Sequence, residues 1–159
     1  LPWINTPETF KVALRDIEAG AKRVGRNTSE IDMSAFLPIA ISEREDTIKA
    51  MEDFARIALV VAPEIAEYHG VSISEREKLF ISECAWTDDD MKKIEENAQK
   101  IPKSLIEKIS AVGSVDDIIA KIDIFIKSGA DHIILADVGS ELEESMRILG
   151  EKVLPYFKD

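Results

Sequence analysis

The stretch Lys108-Ile-Ser-Ala-Val-Gly-Ser-Val-Asp-Asp117, followed by Ile122 and by Ser128-Gly-Ala-Asp-His-Ile-Ile-Leu135, decides the fold class. Ser114 with Asp117 three residues on is an N-cap pair, a hydroxyl and a carboxylate that serve the free amides of a helix start. Ile118, Ile119, Ile122, Phe125 and Ile126 then recur at helical spacing, and Gly129 stops the helix. Ile133-Ile134-Leu135 is apolar on both faces, the habit of a strand covered by helices. Ser140 with Glu143 caps a last helix whose face is Leu142, Met146, Leu149, Val153 and Phe157. Helix, glycine, buried strand, loop and capped helix make an α/β pattern.

The same grammar extends upstream. Thr6-Pro7 opens a helix with the face Phe10, Ala13, Leu14, Ile17, Ala21 and Val24, closed by Gly25. Ile31 to Ile41 alternates and then turns apolar on both faces, so it reads as a buried strand. Pro38 has no N–H for a ladder, so one neighbour is irregular there. Ser42 with Glu45 reads as a capping box, and Pro63 interrupts the helix that follows. Ser74 with Glu77 caps a third helix carrying Leu79 and Phe80, and Thr87 with Asp90 a fourth. From Lys103 a short helix leads into Ser110 to Ser114. The reading yields about seven helices and two strands. Two parallel strands leave both outer edges unpaired, so further strands are expected to be missing. The start at Leu1, without methionine, points the same way.

Twenty Lys and Arg against 31 Asp and Glu give a net charge of −11, which argues against nucleic acid and against an anionic membrane surface. No apolar run approaches the ~18–20 residues of a membrane span. Cys84 is the single cysteine, so no intrachain disulfide forms, as suits a reducing cytoplasm. One Gln and three Asn beside abundant Glu and Lys are the composition of a thermophile.

The quoted stretch resembles the C-terminal signature of the bacterial-luciferase-like flavin and deazaflavin oxidoreductases. Within that superfamily the chain looks most like the coenzyme F-420-dependent methylenetetrahydromethanopterin reductases of archaea. Ile17-Glu-Ala-Gly-Ala-Lys-Arg-Val-Gly25, Ile31-Asp-Met-Ser-Ala-Phe36, Ala55-Arg-Ile-Ala-Leu-Val-Val61 and Glu67-Tyr-His-Gly-Val71 recur there in that order. The loop Ala136-Asp-Val-Gly-Ser140 differs from the Ser-Pro-Ile-Gly-Pro-like loop of the reductases. The resemblance implies an α/β fold, the C-terminal portion of a (β/α)8 TIM barrel spanning residues 1–159, with a helical insertion at about 63–102. It makes the two strands the seventh and eighth. It implies coenzyme F-420, a small-molecule substrate with a methylene-pterin as first candidate, a homodimer or higher homo-oligomer, and a missing N-terminal half that holds the ring-binding site and the proton donor. The 159-residue piece alone is then expected to be inactive. The rival readings are an FMN-dependent monooxygenase on the same barrel and a non-catalytic helical assembly domain.

Barrel active sites lie at the C-terminal ends of the strands. That places Ser42, Glu43 and Arg44 after the first strand, and Asp137, Val138, Gly139 and Ser140 after the second, at the active-site end; of these Ser42, Arg44, Asp137, Gly139 and Ser140 are the cofactor- or substrate-binding candidates. Arg44 suits a phosphate or carboxylate, and Gly139 and Ser140 offer backbone N–H groups. Helix capping explains Ser42 and Ser140 as well, and a solvated charge explains Arg44. Lys108, just before the apolar run, either faces substrate or serves a helix C-terminus. His69 reads as a dipole partner at a helix end, and His132, at the far end of the last strand, as structural. Neither the spacing of Glu67, His69 and Asp131 nor any other spacing is that of a metal site.

Overall fold

The computed structural model describes residues 3–74, 78–139 and 141–158. Glu77 and Ser140, and with them two of the expected caps, lie outside these residues.

Helix α1 (Pro7–Arg23) starts as its sequence requires: Thr6 Oγ1 accepts the Thr9 N–H at 3.2 Å and Thr9 Oγ1 accepts the Thr6 N–H at 2.9 Å. The chain then enters β1 (Ser34–Ile41), α2 (Glu45–Val60), α3 (Pro63–Tyr68), α4 (Asp88–Ala98) and α5 (Lys103–Ile109). The short strand β2 (Ala111–Gly113) follows, then α6 (Val115–Lys127), β3 (His132–Asp137) and α7 (Leu142–Ile148). The three strands form one parallel sheet in the order β2-β1-β3. Strand β2 is absent from the sequence reading. It has three residues, too few to show a period of two, and it pairs only with Ile39–Ile41 at the upper end of β1.

Pro38 sits where its missing donor does least harm. The Ile39 carbonyl accepts the Val138 N–H at 2.9 Å, so the odd residues of β1 bond toward β3. A parallel strand alternates its bonding sides, so Pro38 faces the β2 flank, where pairing begins only at Ile39.

One face of the sheet carries Ala35, Leu37 and Ile39 against Phe10 of α1 and Ile118, Ile122 and Phe125 of α6. Phe10 and Phe125 meet edge to face with ring centroids 6.2 Å apart. The opposite face carries Phe36, whose ring lies 5.7 Å from Trp3, and Ile134, which remains 45% exposed. A second core belongs to the helices after β1. Ala55, Leu59, Ile65, Ile94, Leu105 and Ile109 are buried together, so the helical body runs from α2 to α5.

Three expected features differ. Ser42 does not cap α2: the helix begins at Glu45 behind Arg44, and Ser42 Oγ accepts the Arg44 N–H at 3.1 Å. Lys78, Leu79 and Phe80 are not helical. The last helix breaks after Ile148 into a π turn (Leu149–Val153) and a 3-10 turn (Leu154–Phe157), because Pro155 cannot donate. Of its expected apolar face Leu149 and Val153 are buried, while Leu142 and Met146 are exposed. No described helix is long and apolar enough to cross a membrane.

Candidate functional site

The C-terminal ends of β1 and β3 stand side by side, since Ile39 pairs with Asp137. The loops beyond them bring Ser42, Arg44 and Gly139 around a small pit shared with Thr47, Glu141 and Ser145. Its volume of about 20 Å³ has room for a water molecule but not for a cofactor. Arg44 grips Asp46 with two bonds, at 3.1 and 2.7 Å, and lies 3.7 Å from Glu141. The Arg44 bond holds the Asp46 carboxyl down to about 2. The guanidinium therefore ties one loop to the other and is already neutralised.

Asp137 points away from the strand interior. Parallel partners share a face, so its side chain lies on the side of Ile39, toward the helices. Its Oδ1 accepts the Gly139 N–H at 2.8 Å, and its buried Oδ2 has no partner. A Cβ on Gly139 would meet the same Oδ1 at 2.9 Å, which explains glycine there. Ser140 lies outside the described residues.

Lys108 stands apart from these loops. From the end of α5 it pairs with Glu8 in the first turn of α1, 100 residues away in sequence. Burial pushes the Glu8 carboxyl up, but the Lys108 ammonium with hydrogen bonds from the backbone and Thr6 outweighs it and holds Glu8 at about 2. Next to this pair His69 Nε2 lies 2.9 Å from Thr6 Oγ1. Burial lowers the His69 pKa, Lys108 lowers it further and Glu8 opposes. Burial also lowers Lys121, with Glu107 and Glu8 opposing and Lys108 adding a like charge. So Lys108, Lys121 and His69 share one neighbourhood at the N-terminus of α1 with Glu8 and Glu107. His132 is far from it, bonding Asp32 at 3.0 Å at the other end of β3.

A cavity of about 500 Å³ opens between α2, α5 and α6 at the ends of β1 and β2. Sequence reasoning missed it. One signal was available: Lys121 interrupts the apolar stripe Ile118, Ile122 and Phe125, a position that a purely structural helix would fill with an apolar residue. No cluster of His, Cys, Asp and Glu suited to a metal ion occurs among the described residues.

The model of the luciferase-like monooxygenase family matches residues 1–132. The chain belongs to that family. Similar proteins include the 5,10-methylenetetrahydromethanopterin reductases of Methanopyrus kandleri, 28% identical over 98% of this chain and 44% of that protein, and of Archaeoglobus fulgidus, 26% identical over 96% and 46%. The solved coenzyme F-420-dependent tetrahydromethanopterin reductase of Methanopyrus kandleri superposes with a TM-score of 0.70 at 27% identity, over 98% of this chain and 44% of that one. A coenzyme F-420-dependent secondary alcohol dehydrogenase, bound to an adduct of that cofactor with acetone, gives 0.71 at 16% identity over 98% and 42%, a likeness of fold alone. The chain thus spans less than half the length of these relatives, and its fold is part of a luciferase-like TIM barrel.

Proposed function

We propose that this chain is the C-terminal portion of a coenzyme F-420-dependent oxidoreductase whose substrate is a methylene-pterin of the tetrahydromethanopterin type. The observation that carries the reading is the 28% identity to the Methanopyrus kandleri reductase along 98% of the chain. Coenzyme F-420 supplies the hydride in such chemistry, and the rest of the barrel supplies the surface for its ring.

What this chain contributes is electrostatic. The negatively charged end of the cofactor fits beside Lys108, whose ammonium has three N–H groups and gives one to Glu8, with Lys121 in the same neighbourhood. It fits less well on Arg44 and Gly139, whose N–H groups are engaged by Asp46, Glu141 and Asp137. Ser42, Arg44 and Gly139 gather the two loops into one rim. The reading extends to a homo-oligomer in the cytoplasm of a heat-loving archaeon, which the scarcity of Asn and Gln supports.

The test is reduction of a methylene-pterin by the full-length protein with reduced coenzyme F-420, with FMN as control. Turnover with the deazaflavin and none with FMN is expected. Lys108→Met is expected to weaken cofactor binding about tenfold, the value of one charge-assisted contact. Turnover with FMN alone would refute the reading, and so would activity of the isolated 159-residue chain.

A further inference from the structure

The cavity between α2, α5 and α6 has polar groups of one kind left over. Its floor is apolar and fully buried: Met51 is 0%, Ile106 2% and Ala111 3% exposed. The charged and buried donors in its walls each have a partner. Lys103 Nζ meets Glu52 at 3.0 Å, Lys121 Nζ donates to the Glu107 carbonyl at the open end of α5, and Ser110 Oγ donates to the Ile106 carbonyl at 2.8 Å. Ser42 Oγ accepts from Arg44, and Asp117 Oδ2 accepts from Ser114 N–H and Oγ at 2.8 and 2.6 Å. Two carboxylates stand out. The carboxylates of Glu43 and Glu107 line the cavity and make no hydrogen bond to any described residue. The Glu107 carboxylate also lies in the fields of Lys103 and Lys121.

An apolar slot with carboxylates at its rim selects a ligand that brings its own donors. The volume of about 500 Å³ lies within the ~300–1,000 Å³ range of small-molecule sites. An anion is disfavoured, because the carboxylates of Glu43, Glu52, Glu107 and Asp117 outnumber Lys103 and Lys121 in the lining. A planar ring whose edge carries two adjacent N–H groups is accepted, because a carboxylate takes two parallel N–H bonds at once. The amino-amide edge of a pterin is such a group.

We infer that this cavity holds the aminopyrimidine edge of the substrate, with Glu43 and Glu107 as its specificity-determining acceptors. The inference rests on the proposed function for the choice of pterin, and on the cavity alone for the choice of a donor-bearing ring. It separates the two ligands in space: substrate ring at Glu43 and Glu107, anionic end of the cofactor at Lys108.

The experiment is a fluorescence titration of the full-length protein with 6-methylpterin, without coenzyme F-420. The controls are 6-methyllumazine, in which a carbonyl replaces the 2-amino group, and inorganic phosphate. Saturable quenching by the pterin is expected, roughly tenfold or more weaker for the lumazine, the loss due to one charged hydrogen bond. Glu43→Gln and Glu107→Gln are exposed, conservative changes, and each should weaken pterin binding several-fold without altering lumazine binding. Equal affinity for pterin and lumazine would overturn the inference. So would unchanged binding in both variants, or displacement of the pterin by phosphate. If the pterin binds selectively and coenzyme F-420 supports no turnover, the cofactor reading fails and the cavity stands. If turnover occurs and the variants bind pterin normally, the cavity assignment fails alone.

Discussion

At the residue scale, Gly113 shows how one atom guards the site. Its φ is +131°, in the region that favours glycine, and a Cβ would meet Asp117 Oδ2 at 2.6 Å. That oxygen holds the N-cap of α6 by bonding Ser114. Gly113→Ala should therefore cost about 1–3 kcal/mol in urea unfolding, from backbone strain plus a disturbed cap. A loss no larger than that of an exposed Ala substitution would contradict the geometry. Glu8 gives a prediction with a sign. Its folded pKa of about 2 lies below its ordinary 4.5, so the Lys108 pair stabilises the protein above that ordinary value. The contribution is lost as pH falls from there toward 2. Both partners are nearly half exposed, so solvent limits it to about 1 kcal/mol or less. An NMR titration should find Glu8 near 2, and Lys108→Met should return it toward 4.5.

At the element scale, the helical body above the sheet depends on one long tie. Arg56 of α2 sends Nη1 to the carbonyls of Ala98 and Ile101, at 3.2 and 2.6 Å, and so closes the C-terminal end of α4. Arg56→Met keeps the aliphatic stem and leaves those carbonyls unpaired, so a cost of about 1–3 kcal/mol is expected in thermal or urea unfolding. Nothing local announces such a bond, and the same holds for the site. Thr6, Thr87 and Ser114 were legible as N-caps because a cap spans three residues of sequence. Strands β1 and β3 were legible because their apolar runs are long enough to show both faces. Strand β2 was not, being defined by its partner and not by its own pattern. Ser42 carries the cap signature, yet the helix begins three residues later, because the chain must first clear the end of β1. Arg44 was placed correctly at the strand end, but its partner Glu141 lies 97 residues on, and the Glu8 that claims Lys108 lies 100 residues back. Long-range pairing of charges has no period to read, and that is why the cavity and the cluster around Lys108 emerged only from the fold.

At the scale of the whole molecule, the sheet has two open flanks, and they are unequal. The odd residues of β1 bond toward β3, so in β3 the amides of Ile134, Ala136 and Val138 are the paired ones. The amides of Ile133, Leu135 and Asp137 face outward along the full length of the strand. On the other flank β2 covers only Ile39 to Ile41, leaving Ser34 and Phe36 to face outward below Pro38. A strand docking beside β1 therefore has only the lower half of the edge, and must part from it at Pro38, where there is no donor and where β2 takes over. A strand docking beside β3 meets no such limit. The sheet face between them keeps Ile134 exposed at 45%, and Leu142 and Met146 stay exposed on α7, an apolar surface that a lone small sheet would not leave wet. If the remaining length of the relatives completes the barrel around these flanks, the full-length protein must protect the outward amides. Hydrogen exchange read residue by residue tests this within one sample. The amides of Phe36, Ile133 and Leu135 should exchange within about tenfold of their paired neighbours Leu37, Ile134 and Ala136, since all would belong to one cooperative unit. Outward amides that exchange roughly a hundredfold faster than the paired ones would mean open edges in the complete protein, and a sheet that is not part of a closed barrel.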